Sequence, residues 1–197
     1  MKKILIILVL FQISVIYGCV MNNVNPGDMV TKTYEVSEFT KLDVSHAFEI
    51  IVKVGETASL EITAGENIHP IIEAIVKGDK LVLGLKESMK NTGDIKAEIT
   101  VLTLDELEAS GACKVHVTGI DTDEFTLDAS GATQINIKEF KANSLTVDMS
   151  GASSGDLQGE VNYLKIDISG ASGFDSEELM AENVVADLSG ACNAKVY

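Results

Sequence analysis

The chain has 197 residues, with 30 acidic side chains against 15 lysines, no arginine, and a formal net charge of −15 at pH 7. This length fits one domain with its own core. So acidic a chain is not expected to bind nucleic acid, whose phosphates are contacted by cationic side chains. Tryptophan is absent and aromatic residues make up only 5% of the chain, which argues against an enzyme that stacks sugar rings.

The N-terminal segment has the pattern of a bacterial export signal. Two lysines precede an apolar run from Ile4 to Val15 that is too short to span a bilayer comfortably. The run leads into a sequence that resembles the lipoprotein cleavage box, although Tyr17 departs from it. We predict a signal peptide over residues 1–18 and an acylated, palmitate-carrying Cys19, with residues 19–33 as a tether. The alternatives are a cleaved soluble export signal and an uncleaved anchor.

The tripeptide Ser-Gly-Ala occurs five times along the second half of the chain. Its serines are Ser110, Ser130, Ser150, Ser169 and Ser189. A constant spacing of 19 or 20 residues is typical of a solenoid, in which each repeat stacks on its neighbour.

Three alternate positions before each serine are apolar in nearly every repeat. They are Phe125, Leu127 and Ala129; Leu145, Val147 and Met149; Leu164, Ile166 and Ile168; and Val184, Ala186 and Leu188. A period of two indicates a strand with one buried face. The repeat therefore predicts an all-β parallel β-helix with coils of about 20 residues. The glycine is expected at a corner that needs positive φ or close backbone approach, and the following alanine in a tight inward position.

The first half of the chain is expected to form irregular coils of the same solenoid. Residues 42–47 repeat the motif with His46 in place of glycine, which indicates a corner residue rather than a ligand or a base. An alternative for residues 66–76 is that they begin with a short helix that caps the stack. Strands are predicted over Ile71–Val76, Leu81–Leu85 and Ile95–Leu102.

An acidic residue stands two positions before each repeated serine. These residues, here called the acid column, are Asp43, Glu108, Asp128, Asp148, Asp167 and Asp187. In a parallel stack they lie about 4.8 Å apart, where neighbouring carboxylates repel by about 1 kcal/mol in water. Ca²⁺ requires six to eight oxygen ligands, and one flat column supplies few. We therefore predict a solvated ladder of acids and serines, with no metal and no cofactor.

The remaining candidates for catalysis, metal binding or disulfide formation are interpreted as structural residues. Residues 151–155 formally match the hydrolase nucleophile elbow, but no helix start follows them. His69 and His116 lack partners at metal-ligand spacing and are expected at the surface. Cys113 and Cys192 lie four coils apart, about 19 Å, which is beyond disulfide reach, so both are expected to be small buried residues.

The segments 39–44 and 107–112, together with the acid-x-Ser-Gly-Ala repeats, resemble the GIN-domain family, also called putative autotransporter adhesin head domains. The resemblance covers most of the chain after the signal peptide. It implies a right-handed β-helix and an exported bacterial protein that commonly carries a lipoprotein signal. It implies no catalytic residues.

We accordingly expect residues 34–197 to form a single, non-catalytic binding or adhesion domain of the outer-membrane envelope, with a protein or glycan ligand. A β-helical enzyme acting on polysaccharide and a structural spacer are the alternatives. The final strand, Ala194–Val196, leaves an edge that only Lys195 could protect, and such edges pair with other chains. This edge predicts a weak homodimer or a partner strand.

Overall fold

The computed structural model of this protein describes residues 25–197. The predicted signal peptide and Cys19 lie outside the described residues. Within residues 25–197, no helix is long and apolar enough to cross a membrane. One sheet winds through 14 strands. They are β1 (Met29–Tyr34), β2 (Lys41–Val44), β3 (Glu49–Val54), β4 (Ser59–Gly65), β5 (Ile72–Lys77), β6 (Lys80–Leu85), β7 (Lys96–Val101), β8 (Glu106–Ala109), β9 (Lys114–Thr118), β10 (Asp121–Ala129), β11 (Gln134–Met149), β12 (Ser154–Gly170), β13 (Gly173–Gly190) and β14 (Asn193–Val196).

From β10 onward the protein is a parallel β-solenoid in which each coil rests on the one before it in the chain. Leu127 of β10 is aligned with Leu107 of β8 on one side and with Val147 of β11 on the other. Strands β11, β12 and β13 are long because each passes through a bend from one coil into the next. The predicted fold class and coil length are therefore confirmed.

The alternating apolar positions fill the interior, as the period of two predicts. Leu127, Val147 and Ile166 stack above one another and are essentially inaccessible to solvent. Phe125 and Phe140 meet edge to face with ring centroids 5.5 Å apart. Burial of each such side chain contributes about 1.5–3 kcal/mol, so the stacked columns are the main source of stability.

The glycine of each repeat forms a corner at which a side chain has no room. Gly131 has φ of 78°, and a Cβ there would lie 2.5 Å from the carbonyl oxygen of Gly111 in the preceding coil. The corner therefore requires glycine for both of the expected reasons, the positive φ and the close backbone approach. The expectation for the following alanine is wrong: Ala132 is exposed, and the inward position belongs to the next residue, Thr133. The positive φ reverses the side-chain alternation at the corner, which sequence periodicity did not show.

The position after each alanine is the one that holds the two cysteines. Cys113 is buried, its Sγ donates to the carbonyl oxygen of Ser110 at 3.2 Å, and burial raises the pKa of its thiol. Cys192 occupies the same position in the last coil and is half-buried. Both thiols are free, so the prediction of no disulfide between them agrees with the structure.

In the first half the coils do not follow the chain order. Strands β2 and β3 lie between β6 and β7 on one side and β8 and β9 on the other, all in parallel register. The chain therefore first forms the coil that contains β2 and β3, and then places β6 and β7 on one side of it. It continues the solenoid from the opposite side with β8 and β9. The three predicted strands correspond to β5, β6 and β7, and the first half is irregular as expected.

Antiparallel strands close the N-terminal end of the solenoid. β1 pairs with β4, β4 with β7, and β5 with β6. Since β1 begins at Met29, the folded domain starts inside the segment 19–33 that was predicted to be a tether, and the boundary at residue 34 is corrected accordingly. The proposed capping helix is reduced to one 3₁₀ turn, His69–Ile71.

His69 is also a correction, because it is buried and not at the surface. Its Nδ1 lies 2.9 Å from the hydroxyl of Tyr34, and its Nε2 lies 3.0 Å from the carbonyl oxygen of Val30. The imidazole thus fastens β1 to the 3₁₀ turn. Because its partner Tyr34 lies far from it in the chain, no local sequence motif marks this histidine as buried.

Candidate functional site

The acid column is continuous from β2 to β13. Asp43 is aligned with Glu108, Glu108 with Asp128, and Asp128 with Asp148. The alignment continues through Asp167 to Asp187. Outward side chains in a parallel sheet repeat at the strand separation of about 4.8 Å, so the six carboxylates form one straight ladder, as predicted.

The serines of the repeat form a second column beside the acids, at the corner. The two columns border a shallow open depression of about 280 Å³ at the first coils, lined by carboxylates and hydroxyls. Its residues are Asp43, Glu108, Ala109, Ser110, Asp128 and Ser130. We call this surface, with the rest of the acid column, the ladder face. It is polar and open to solvent, and from β2 to β12 the inward residues of its strands are buried.

Lys80, near the N-terminal end of the ladder face, offsets part of its charge. Lys80 Nζ lies 2.6 Å from Oε1 of Glu106 and 2.9 Å from Oε1 of Glu108. The hydrogen bond from Lys80 holds the pKa of Glu106 below its usual value. Lys80 was not recognised from the sequence, because β6 joins this face only through its pairing with β2.

Among residues 25–197, no lysine forms an ion pair with the middle carboxylates of the column, and Asp148 affects the pKa of Asp128. The pKa of Asp128 is raised, chiefly because the carboxyl is partly desolvated and additionally by the charges of Asp148 and Glu106. Like charges at this separation disfavour the ionised form. The ladder face is therefore a negative strip, which Lys80 offsets near its N-terminal end and which the exposed Lys165 flanks two positions before Asp167.

The described residues contain no group of three or more histidine, cysteine or acidic side chains arranged to hold a metal ion. The acids of the column stand in line, so a cation on the strip would meet their carboxylates from one side only. The absence of a metal or cofactor site stays a prediction. The carboxylates could instead bind several cationic groups side by side.

The other sequence candidates have structural positions. His46 has φ of 76° and lies at a corner, as predicted, with its Nδ1 2.9 Å from Ser45 Oγ. His116 is exposed on β9, as expected. Ser153, the central residue of the elbow-like match, is buried, and its hydroxyl donates to the carbonyl oxygen of Ser150 at 3.0 Å. This serine belongs to the interior and not to a nucleophile elbow.

Sequence analysis missed two features at the far end of the solenoid. One is a ladder in which Asn143 donates to Asp123, Asn162 to Asn143 at 2.9 Å, and Asn183 to the carbonyl oxygen of Asn162 at 3.3 Å. Its spacing is that of the repeat and could have revealed it. The other is the exposure of Val184 and Leu188, which occupy positions that are buried in the three preceding coils.

The architecture is that of a parallel β-solenoid domain with an antiparallel N-terminal closure. A family model described as "Putative auto-transporter adhesin, head GIN domain" matches residues 38–197. The chain belongs to this family, which confirms the resemblance noted in the sequence. No curated protein matches the chain in sequence.

Solved structures share the fold. A putative adhesin from Bacteroides fragilis NCTC 9343 is 23% identical, with a TM-score of 0.81 over 86% of this chain and 80% of that one. A putative lipid binding protein from Parabacteroides distasonis ATCC 8503 is 13% identical, with a TM-score of 0.70 over 87% and 82%. A putative adhesin from Parabacteroides merdae ATCC 43184 is 19% identical, with a TM-score of 0.60 over 90% and 83%. At these identities the likeness concerns the fold alone.

Proposed function

We propose that the protein is a non-catalytic binding module of the bacterial cell envelope that recognises its ligand through the ladder face. The observation that carries the proposal is the uninterrupted register of six carboxylates on a packed, repetitive scaffold. Such a surface is already ordered before it binds, so little conformational entropy is lost on association. The family description as an adhesin head supports the same class of function.

The ligand expected for this face carries several cationic groups at intervals close to the strand separation. A protein surface rich in lysine and arginine has this chemistry, and each charge-assisted hydrogen bond to a carboxylate is stronger than a neutral one. Because the carboxylates are exposed, the attraction should weaken as salt is added.

The test compares two double variants that remove the same charge from different faces. Asp128→Asn with Asp148→Asn alters the ladder face, whereas Asp156→Asn with Asp175→Asn alters a stacked pair on another face. The full-length protein is immobilised and tested against separated envelope and host surface proteins by surface plasmon resonance. We expect the ladder-face variant alone to lose at least about tenfold in affinity, which corresponds to about 1.4 kcal/mol. Equal losses in both variants would indicate non-specific charge attraction and contradict the proposal.

Cell-envelope attachment is proposed to occur through an acylated Cys19. The support is the sequence of residues 1–19 and the position of β1, which leaves at most nine residues, 20–28, between that cysteine and the first strand. Mass spectrometry of the mature N-terminus and membrane fractionation of Cys19→Ala test the proposal. Normal processing and unchanged membrane association of the variant would show it to be wrong.

A further inference from the structure

The last coil, residues 177–196, leaves the interior of the solenoid open at its C-terminal end. Leu188 is 45% exposed and Val184 43% exposed, whereas Ile168 at the equivalent position one coil earlier is fully buried. Among the described residues, nothing lies over these side chains. The end of the solenoid therefore presents the cross-section of its apolar core.

The main chain of the same residues is also left without partners. In the repeat, outward residues bond to the preceding coil, as where Ser130 N–H donates to Ala109 O at 2.9 Å, so inward residues such as Ala109 bond to the following coil. In the last coil, β14 pairs only with residues 173–176. The peptide groups of Val184, Ala186 and Leu188 consequently face a position that no described strand occupies. Exposed edges of this kind accept an added strand.

A groove beside this edge offers room for a side chain of such a strand. It has a volume of about 350 Å³ and is lined by Met180, Ala181, Val161 and Tyr197, with Glu160, Asn162 and Glu182 at its polar margin. Tyr197 is 80% exposed. An apolar side chain entering the groove would cover aromatic and aliphatic surface that the fold leaves in water.

The charge at this end indicates what kind of strand fits. The acid column ends at Asp187, and Glu182 is exposed on the same coil. At the opposite end of the column, Lys80 donates to Glu106 and Glu108. A lysine or arginine on a strand that stacks on β13 would offset the charge of Asp187 in the same way. A second copy joined through this end would instead bring another Asp187 and Glu182 to the contact, and each chain carries a net charge of −15.

We propose that the last coil is a docking site for an extended strand of another protein, in which apolar residues that cover Val184 and Leu188 alternate with lysine or arginine that faces Asp187. Main-chain hydrogen bonds supply affinity, and the alternation supplies specificity. This surface shares only Asp187 with the ladder face, and the inference does not rest on the function proposed above.

The test uses two fluorescent seven-residue peptides, one alternating lysine with valine and one alternating glutamate with valine, titrated with the full-length protein and followed by anisotropy. The lysine peptide should bind at least tenfold more tightly than the glutamate peptide. Leu188→Lys should reduce this binding at least tenfold, and Asp187→Lys should reverse the order of the peptides. The matched control is Ile75→Lys, because Ile75 is 46% exposed on the edge strand β5 at the other end. It should leave binding unchanged.

Three results would overturn the proposal. Failure of the lysine peptide to bind would show that the end does not accept such a strand. Binding that is equal in Leu188→Lys and in the unaltered protein would show general attraction to the acidic surface. Concentration-dependent self-association that Leu188→Lys abolishes would show by sedimentation velocity that a second copy covers the end. Since Leu188 is already exposed, thermal unfolding should verify that its variant remains folded.

Discussion

The two halves of this domain use the same coil but assemble it by different rules. From residue 121 onward, each strand rests on residues about 20 positions earlier in the chain, and the same corner is repeated. Before residue 106, β2 and β3 contact strands more than 30 positions later on both sides, and antiparallel strands close the end. The comparison shows that a repeat can encode its own stacking, whereas a cap depends on contacts between segments that share no motif.

Substitutions at the corner glycines of the second half are expected to have the largest effect on stability. Gly131→Ala places a Cβ 2.5 Å from Gly111 O at a positive φ, and it should lower the free energy of unfolding by about 3 kcal/mol. Gly173→Ala is the control, because a Cβ there meets nothing within 4 Å, and it should cost less than about 1 kcal/mol. Urea unfolding measures both. The first-half corner already carries His46, so His46→Gly should not destabilise to a comparable extent; a similar loss there would refute this account of the corners.

The next test compares a closed coil with the open one. Ile168→Ala removes a buried side chain and should cost about 3 kcal/mol, because the cavity cannot collapse. Leu188→Ala, at the same position of the repeat, should cost less than about 1 kcal/mol, because solvent already reaches that side chain. Thermal and urea unfolding give both values. Equal costs would mean that the last coil is covered in solution.

The N-terminal closure depends on a buried histidine and not on a repeat. His69→Ala leaves the Tyr34 hydroxyl and the Val30 carbonyl oxygen without this partner, and it should cost about 2 kcal/mol. Amide hydrogen exchange should increase in β1 and remain unchanged in β11 and β12. His116→Ala, at an exposed position, should change stability by less than about 0.5 kcal/mol. Uniformly faster exchange throughout the solenoid would contradict a local role.

The acid column should oppose folding to a small extent. Asp148→Asn removes repulsion with Asp128 and Asp167 and should stabilise the protein by about 1 kcal/mol at low salt. The gain should decrease in 1 M salt, which screens exposed charges. Asp94→Asn, in an exposed loop, is the control for a general loss of negative charge. If the two variants gain equally, net charge and not the column is responsible.

The smallest effects are those of pH. Because the folded-state pKa of Asp128 is raised, ionisation of this carboxyl opposes folding. Asp128→Asn should therefore be more stable than the unaltered protein at pH 7, and the difference should vanish as the pH falls through that raised pKa.

The pKa of Glu106 is lowered by Lys80, so the opposite sign is expected there. Glu106→Gln should be less stable than the unaltered protein at pH 7, and the difference should be lost as the pH falls through the lowered pKa. Each difference should be below about 1 kcal/mol, measured by urea unfolding between pH 3 and 7; differences of the opposite sign would contradict these assignments.

The sequence by itself determined the repeating part of this protein. The spacing of Ser-Gly-Ala, the alternation before it and the acid two positions earlier were sufficient to predict the coil, its corner and the straight acid column. These features follow from the chain because each contact in the repeat joins residues one period apart, so a single interval fixes all of them. The corner position of His46 follows from the match of residues 42–47 to the motif and not from the interval, since His46 stacks on Gly111.

Only the tertiary structure decided the rest. The placement of β2 and β3 between two later coils, the inclusion of Met29–Tyr34 in the fold, the burial of His69 and the reach of Lys80 to Glu106 all join segments at unrelated separations. The same holds for Leu188, whose apolar character and position match those of buried residues. Its exposure depends on what lies next along the solenoid axis, and that is a property of the assembled stack and not of the local sequence.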